Sequence, residues 1–255
     1  MIGLEELNEI KERKRLNSYY AEKEYLQYIL LYALSRYPGN FVFKGGTCLR
    51  ICFGLERASE DLDFNANLPI RKIKEIILSC MRDFELLGIS YTLTSEKEFK
   101  GNLRMEMRFQ GPLYNGNLRS TNTIKIDFNK GKVRNKIVQV IPKLFSDVPL
   151  FSMVVMDEKE ILAEKIRALL SRKEPRDLYD IWAILSKGIQ IDKKLVADKF
   201  KEEKVAFSRL SRLRFPSKEE YENGLKNLVY VLPEHQQVIG EVSGKLAGLQ
   251  RLKRR

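Results

Sequence analysis

The sequence predicts an α+β protein: a mixed α/β domain over residues 1–150, then a helical domain over residues 151–255. Three observations carry that reading. Strict apolar–polar alternation, as in Leu103-Arg-Met-Glu-Met-Arg-Phe109 and Thr123-Ile-Lys-Ile-Asp-Phe128, marks half-buried strands before residue 150. Around them run stretches with apolar residues three and four apart, the spacing of a helix face. Beyond Pro149 only Phe151 to Val155 still reads as a strand, and helical spacing takes over.

Residues 4–36 read as helical, with Leu4, Leu7 and Ile10 on one face and Leu26, Ile29, Leu30 and Ala33 continuing further on. Pro38-Gly39-Asn40 is a turn, and Phe41 to Phe43 a short strand. Gly45 and Gly46 turn that strand into a helix of about two turns, Thr47 to Gly54, which stops at a glycine. Asp61-Leu-Asp-Phe64 is a strand, and Pro69 opens a helix to about Leu87 with Ile73, Ile76, Ile77, Cys80 and Phe84 on one side. A brief strand over Ser90 to Thr94 precedes the two alternating strands, with turns at Gly111-Pro112 and Asn115-Gly116-Asn117. Asp157 to Arg172 is helical through Ile161, Leu162, Ile166, Leu169 and Leu170. Pro175 starts a further helix that buries Leu178, Ile181, Trp182 and Leu185. The remainder is helical with loops, one of them over Arg209 to Ser217.

Composition narrows the chemistry. The chain has a single histidine, His235, so zinc sites, Ser-His-Asp triads and imidazole acid–base pairs lack their parts. Three cysteines, at 48, 52 and 80, form no paired framework and read as small buried thiols. Chemistry here must run on carboxylates, lysine, arginine and metal. No apolar run approaches the roughly 20 residues of a membrane helix, and the first residues lack a signal-peptide profile. A cytoplasmic protein with no membrane partner is expected. The net charge of +12 favours phosphate-rich partners, against the plainer reading of a well-solvated Lys/Glu surface. From Lys187 onward there are 16 Lys/Arg against 9 Asp/Glu, and the tail Arg251 to Arg255 is either a nucleic-acid contact or a frayed end.

The strand–Gly-Gly–helix turn places backbone N–H groups and the Thr47 hydroxyl at a helix N-terminus, an arrangement that suits phosphate. Asp61 and Asp63 are two apart on a strand, so both carboxylates leave one face while Leu62 and Phe64 enter the core. A divalent cation is the usual reason for holding two like charges together. Asp127 lies opposite the apolar face of its strand, either solvated or turned into a cleft. Beside an Asp-x-Asp strand it would complete three carboxylates able to hold one or two Mg²⁺ ions. Lys165 falls on the apolar face of its helix and must either snorkel or find an anion. Asp177 sits in a first helical turn, where capping or pairing with Arg172 or Arg176 would also explain it.

Taken as a set, Lys44-Gly-Gly-Thr47, Arg57-x-Ser59-x-Asp61-Leu-Asp63-Phe, Asp127, Lys165 and Arg176-Asp177-Leu-Tyr-Asp180 resemble the AbiEii/AbiGii-type nucleotidyltransferase toxins, over about residues 20 to 186. The resemblance implies a fold similar to DNA polymerase β-type nucleotidyltransferases, a mixed β-sheet flanked by helices, with a helical C-terminal domain. It implies that Lys44, Gly45, Gly46 and Thr47 bind the NTP triphosphate, with Arg57 and Ser59 in the flanking pattern. Asp61 and Asp63, with Asp127, would bind Mg²⁺, and Asp127 would help activate the attacking hydroxyl. Lys165 would neutralise phosphate, and Asp177 would be a base or an orienting partner. The implied activity is transfer of NMP to RNA, with the tRNA 3′ end as acceptor, by a growth-arresting toxin whose antitoxin is encoded nearby. A small-molecule or protein acceptor, or a degenerate nucleic-acid-binding domain, is the alternative.

Overall fold

The computed structural model describes residues 1–206, 210 and 213–250, so the basic tail Arg251 to Arg255 and part of the Arg209 to Ser217 loop lie outside the described residues. The chain divides into two compact units. One comprises Met1–Gly54 and Ala58–Met156, the other Leu55–Arg57 and Asp157–Arg255.

The first unit contains the whole sheet. Its helical start is two helices, α1 (Leu4–Lys14) and α2 (Ser18–Ser35), where the sequence reads as one. The break is local: Arg15 adopts the left-handed conformation (φ 51°), and the Asn17 side chain then caps α2 by accepting from the Tyr20 N–H. Strand β1 (Phe41–Lys44) leads into α3 (Gly45–Phe53), β2 (Asp61–Ala66) and α4 (Ile70–Leu86). The hairpin β3 (Ser90–Phe99) and β4 (Asn102–Gln110) follows, then β5 (Asn122–Asn129), β6 (Lys136–Ile141) and β7 (Phe151–Met156). Strand β3 runs five residues past the expected Thr94, and β6 is a strand unassigned from the sequence. Both lie at sheet edges, where side chains on either face meet water and the alternation loses its meaning; Val138 and Val140 of β6 are exposed.

The order is β3-β4-β5-β2-β1-β7-β6. Within it β1–β7 and β2–β5 are parallel, and the other neighbours antiparallel. One face of the central strands is aromatic. Phe41, Phe64 and Phe128 pack ring to ring, with Phe64 and Phe128 stacked at 5.5 Å. All three are buried, each contributing roughly 1.5–3 kcal/mol by leaving water. Helix α4 buries Ile73, Ile76, Ile77, Cys80 and Phe84, the face its spacing predicts.

The second unit is helical: α5 (Glu158–Arg172), α6 (Pro175–Ser186), α7 (Lys193–Glu202), α8 (Lys218–Leu225) and α9 (His235–Gln250). Helix α6 packs on α5, α8 and α9, and α7 packs on α5. Trp182 is half-buried rather than buried, because its indole N–H reaches out to donate to Glu241 (2.7 Å). The segment Leu55–Arg57 joins this unit through a β-bridge between Arg57 and Val229. Among the described residues no helix is long and apolar enough to cross a membrane.

Candidate active site

Gly45 begins α3 with φ +80°, a conformation that costs other residues strain. A Cβ built there would lie 2.3 Å from Oδ2 of Asp63 and 3.1 Å from its Cβ. The glycine thus allows the Asp63 carboxylate to pack directly on the helix start. Lys44, at the N-cap, supplies no side-chain cap to the helix. The first-turn amides at Gly45 and Gly46 keep the anion-binding character of a helix N-terminus. Thr47 plays a different part from the expected phosphate ligand. It is fully buried, and its hydroxyl donates to the Asp61 carbonyl and hydrogen-bonds to Ser59 Oγ (2.8 Å), fastening α3 to the start of β2. Gln27 of α2 donates to the carbonyls of Ser59 and Glu60 (both 3.1 Å) and fixes the same segment from the other side.

Leu62 and Phe64 are fully buried, so the pleat turns Asp61 and Asp63 to the opposite face, where both are half-buried. Strand register does the rest. Asp63 is paired with Lys44 on β1 and with Asp127 on β5, and Asp127 is paired with Arg104 on β4. One row of the polar face therefore reads Lys44, Asp63, Asp127, Arg104. Arg104 grips Asp127 with two hydrogen bonds, Nε to Oδ1 at 2.8 Å and Nη2 to Oδ2 at 3.2 Å. Sequence reading did not single out Arg104, although the alternation of β4 already put it on the charged face.

Lys23 of α2 is a second residue that sequence reading passed over. It is 4% exposed and donates to the Thr123 carbonyl. Burial depresses its pKa, with Lys125 adding to the effect and Glu60 and Asp61 opposing it, so the amine lies within the field of the Asp-x-Asp strand. Its neighbours are also buried and satisfied: Glu22 accepts from Leu113 N–H and Asn122, and Glu24 accepts from Arg50 Nε at 2.6 Å.

The donors suit a hard divalent ion. Asp61 and Asp63 offer carboxylate oxygens from one face, and Gly45 leaves Asp63 its place beside the helix N-terminus. Among the described residues no three His, Cys, Asp or Glu gather into a site that could hold a metal alone. Asp127, expected as a third ligand, is held in the Arg104 fork. Magnesium characteristically takes one or two carboxylates and completes its shell with water and substrate phosphates, a demand that Asp61 and Asp63 would meet by residue type.

The remaining expected residues form a cluster within the helical unit. Asp177 and Asp180, three apart on α6, are both fully buried. Arg57 binds Asp180 through Nε (2.6 Å) and Nη2 (2.8 Å). Lys165 Nζ lies 2.9 Å from Asp177 and 2.7 Å from Asp180, and Arg172 forks onto Asp177 at 2.6 and 2.8 Å. Within this unit, the anions that resolve the burial of Lys165 are thus two carboxylates. Burial pushes the Asp177 carboxyl up, but Lys165 and Arg172 outweigh it and hold the pKa at about 2. Asp180 is likewise lowered, against its burial, by Arg57 and Lys165. Lys165 is raised, because Asp180 and Asp177 overcome the desolvation that would lower it. Asp180 was not assigned a role from the sequence; its i, i+3 spacing from Asp177 on an otherwise apolar face was the available signal. Lys44, Gly45, Gly46, Thr47, Ser59, Asp61, Asp63 and Asp127 belong to the first unit, and Arg57, Lys165 and Asp177 to the second.

Comparison with known proteins agrees with this picture. A family model described as nucleotidyl transferase AbiEii toxin, type IV TA system, matches residues 29–238. No curated protein matches the chain. Among solved structures, the nucleotidyltransferase toxin MenT4 of Mycobacterium tuberculosis H37Rv is similar in fold, with a TM-score of 0.74 at 20% identity, over 96% of this chain and 90% of that one. JHP933 from Helicobacter pylori is similar with a TM-score of 0.60 at 20% identity, over 92% of this chain and 94% of that one. With the family model spanning the Gly-Gly turn, the Asp-x-Asp strand and the α5–α6 cluster, the chain belongs to the AbiEii nucleotidyltransferase toxin family of type IV toxin–antitoxin systems.

Proposed function

We propose that this nucleotidyltransferase moves a nucleoside monophosphate from an NTP to a hydroxyl of RNA, the tRNA 3′ end being the acceptor, in a Mg²⁺-dependent reaction in the cytoplasm. The observation that carries the reading is the row Lys44, Asp63, Asp127, Arg104, with Asp63 packed on the start of α3 at Gly45. The acceptor hydroxyl attacks the α-phosphorus, the bond to the β-phosphate oxygen breaks, and pyrophosphate leaves. Gly45 and Gly46 amides and the Lys44 ammonium receive the triphosphate. Asp61 and Asp63 hold Mg²⁺, which when bound offsets charge on the phosphates. Asp127, oriented by Arg104, accepts the hydrogen bond of the attacking hydroxyl and takes its proton. Thr47 and Ser59 keep the helix start and the Asp-x-Asp strand in register. Within the helical unit Lys165 is held by Asp177 and Asp180, and Arg57 completes that cluster through Asp180. Family membership implies an antitoxin, and we assign that role to the product of a neighbouring gene.

Purified protein given Mg²⁺, labelled NTPs and total RNA should label RNA, and Asp61→Ala should abolish the label with the fold intact by circular dichroism. Absence of labelled RNA with any NTP overturns the proposal. Label in a metabolite or protein fraction alone would move the acceptor to that class.

A further inference from the structure

Beyond Asp127 the polar face of the sheet continues across β4 and β3, and its composition changes. Pairing of Arg104 with Lys97, and of Arg108 with Thr92, extends the rows outward, so Lys97, Arg104 and Arg108 share the face of Asp63 and Asp127. Glu106 is the one carboxylate among them on these two strands. The opposite face of β4 is sealed, with Leu103, Met105, Met107 and Phe109 all at most 2% exposed. Lys97 is exposed and Arg104 is 47% exposed. Among the described residues neither Lys97 nor Arg108 forms an ion pair. Phe99 follows Lys97 by two residues, so its ring emerges on the same face, and it is 45% exposed.

Cations beside an exposed aromatic ring are the combination that holds single-stranded nucleic acid, through phosphates on the cations and a base on the ring. Neighbouring strands are about 4.8 Å apart, so Lys97 stands roughly 10 Å from Asp127 across two ladder steps. That span suits one strand whose end must reach the row of carboxylates. We infer that the β3–β4 face is the docking surface for the single-stranded 3′ end of the RNA acceptor, with phosphates on Lys97 and Arg108 and a base stacked on Phe99. Identification of the RNA as acceptor rests on the transferase reading above. Arg104 stays with Asp127 and links the docked strand to the attacking position.

The test uses the full chain and a 5′-labelled single-stranded RNA dodecamer, with binding followed by fluorescence anisotropy across a salt series. The double variant Lys97→Ala/Arg108→Ala should lower the slope of log K against log salt by about 1.4, because each lost phosphate contact on a single strand removes about 0.7. Phe99→Ala should weaken binding at least about fivefold without changing the slope. Thermal unfolding and NTP affinity should match wild type in both. Wild-type RNA affinity and slope in both variants would overturn the inference. A wild-type chain that binds RNA in this way yet labels none would sink the transferase reading and leave the surface standing. Transfer to RNA with wild-type KM in both variants would do the reverse.

Discussion

Replacing Gly45 with alanine isolates the contact on which the proposed site depends. Two costs arise. The backbone at φ +80° strains a residue with a Cβ by about 1–2 kcal/mol. The new Cβ would also stand 2.3 Å from Asp63 Oδ2, about 1 Å inside ordinary contact. Rotating the carboxylate does not clear it, since Cγ and Cβ of Asp63 lie at 3.0 and 3.1 Å. Asp63 or the start of α3 must therefore move by about 1 Å, and misplacement of that size at a reacting centre costs on the order of 100-fold in rate. Gly54, at the other end of α3, is the control: its φ is +67°, but a Cβ there meets nothing within 4 Å. Gly54→Ala should lose about 1–2 kcal/mol of stability and keep its activity. Gly45→Ala should lose at least as much stability and about 100-fold in kcat/KM for labelled NTP transfer. Thermal unfolding and single-turnover transfer measure the two quantities on both variants. Equal kcat/KM in the two would show that the Asp63 contact is irrelevant to activity and refute the reasoning.

Other consequences follow from the buried cluster of the helical unit. Arg57→Leu leaves Asp180 with Lys165 alone and should cost about 3–5 kcal/mol, because a partly uncompensated charge stays buried; a melting temperature within 2 °C of wild type would exclude it. Acid stability should report Asp177. Its carboxyl is held at about 2 in the folded chain, below its ordinary 3.8, so the stabilisation is fully present above about pH 4 and is lost as pH falls towards 2. The amount is about 2 kcal/mol, and Asp180 adds in the same direction. Urea midpoints measured between pH 5 and 2 should fall steeply in wild type and more gently in Asp177→Asn. Matching slopes would assign the acid limb to other groups.

Much of the site was legible because local rules govern it. Alternation turns Asp61 and Asp63 to one face, and two glycines after a short strand mark a helix start that can meet an anion. The position of Lys165 on an apolar helix face announced a buried cation in need of an anion, without saying which. The misreadings have equally local causes. Residues 4–36 lack a glycine or proline break, so only the left-handed Arg15 and the Asn17 cap reveal two helices. Strand β6 exposes Val138 and Val140 and therefore carries no burial signal, and Thr47 proved to be a fastening rather than an open hydroxyl.

The sequence by itself determined most of the strands and helices and the shared face of the Asp-x-Asp pair, since each depends on residue type and short-range periodicity, but it missed β6 and the break between α1 and α2. Tertiary structure alone decided that β2 and β5 run parallel in a register that pairs Asp63 with Asp127. It also decided that Arg104 takes Asp127, that Asp63 rests on Gly45, and that Lys165 is shared by Asp177 and Asp180. These contacts join residues brought together by strand pairing and helix packing, and a slip of one residue in register would send every one of those sheet side chains to the other face.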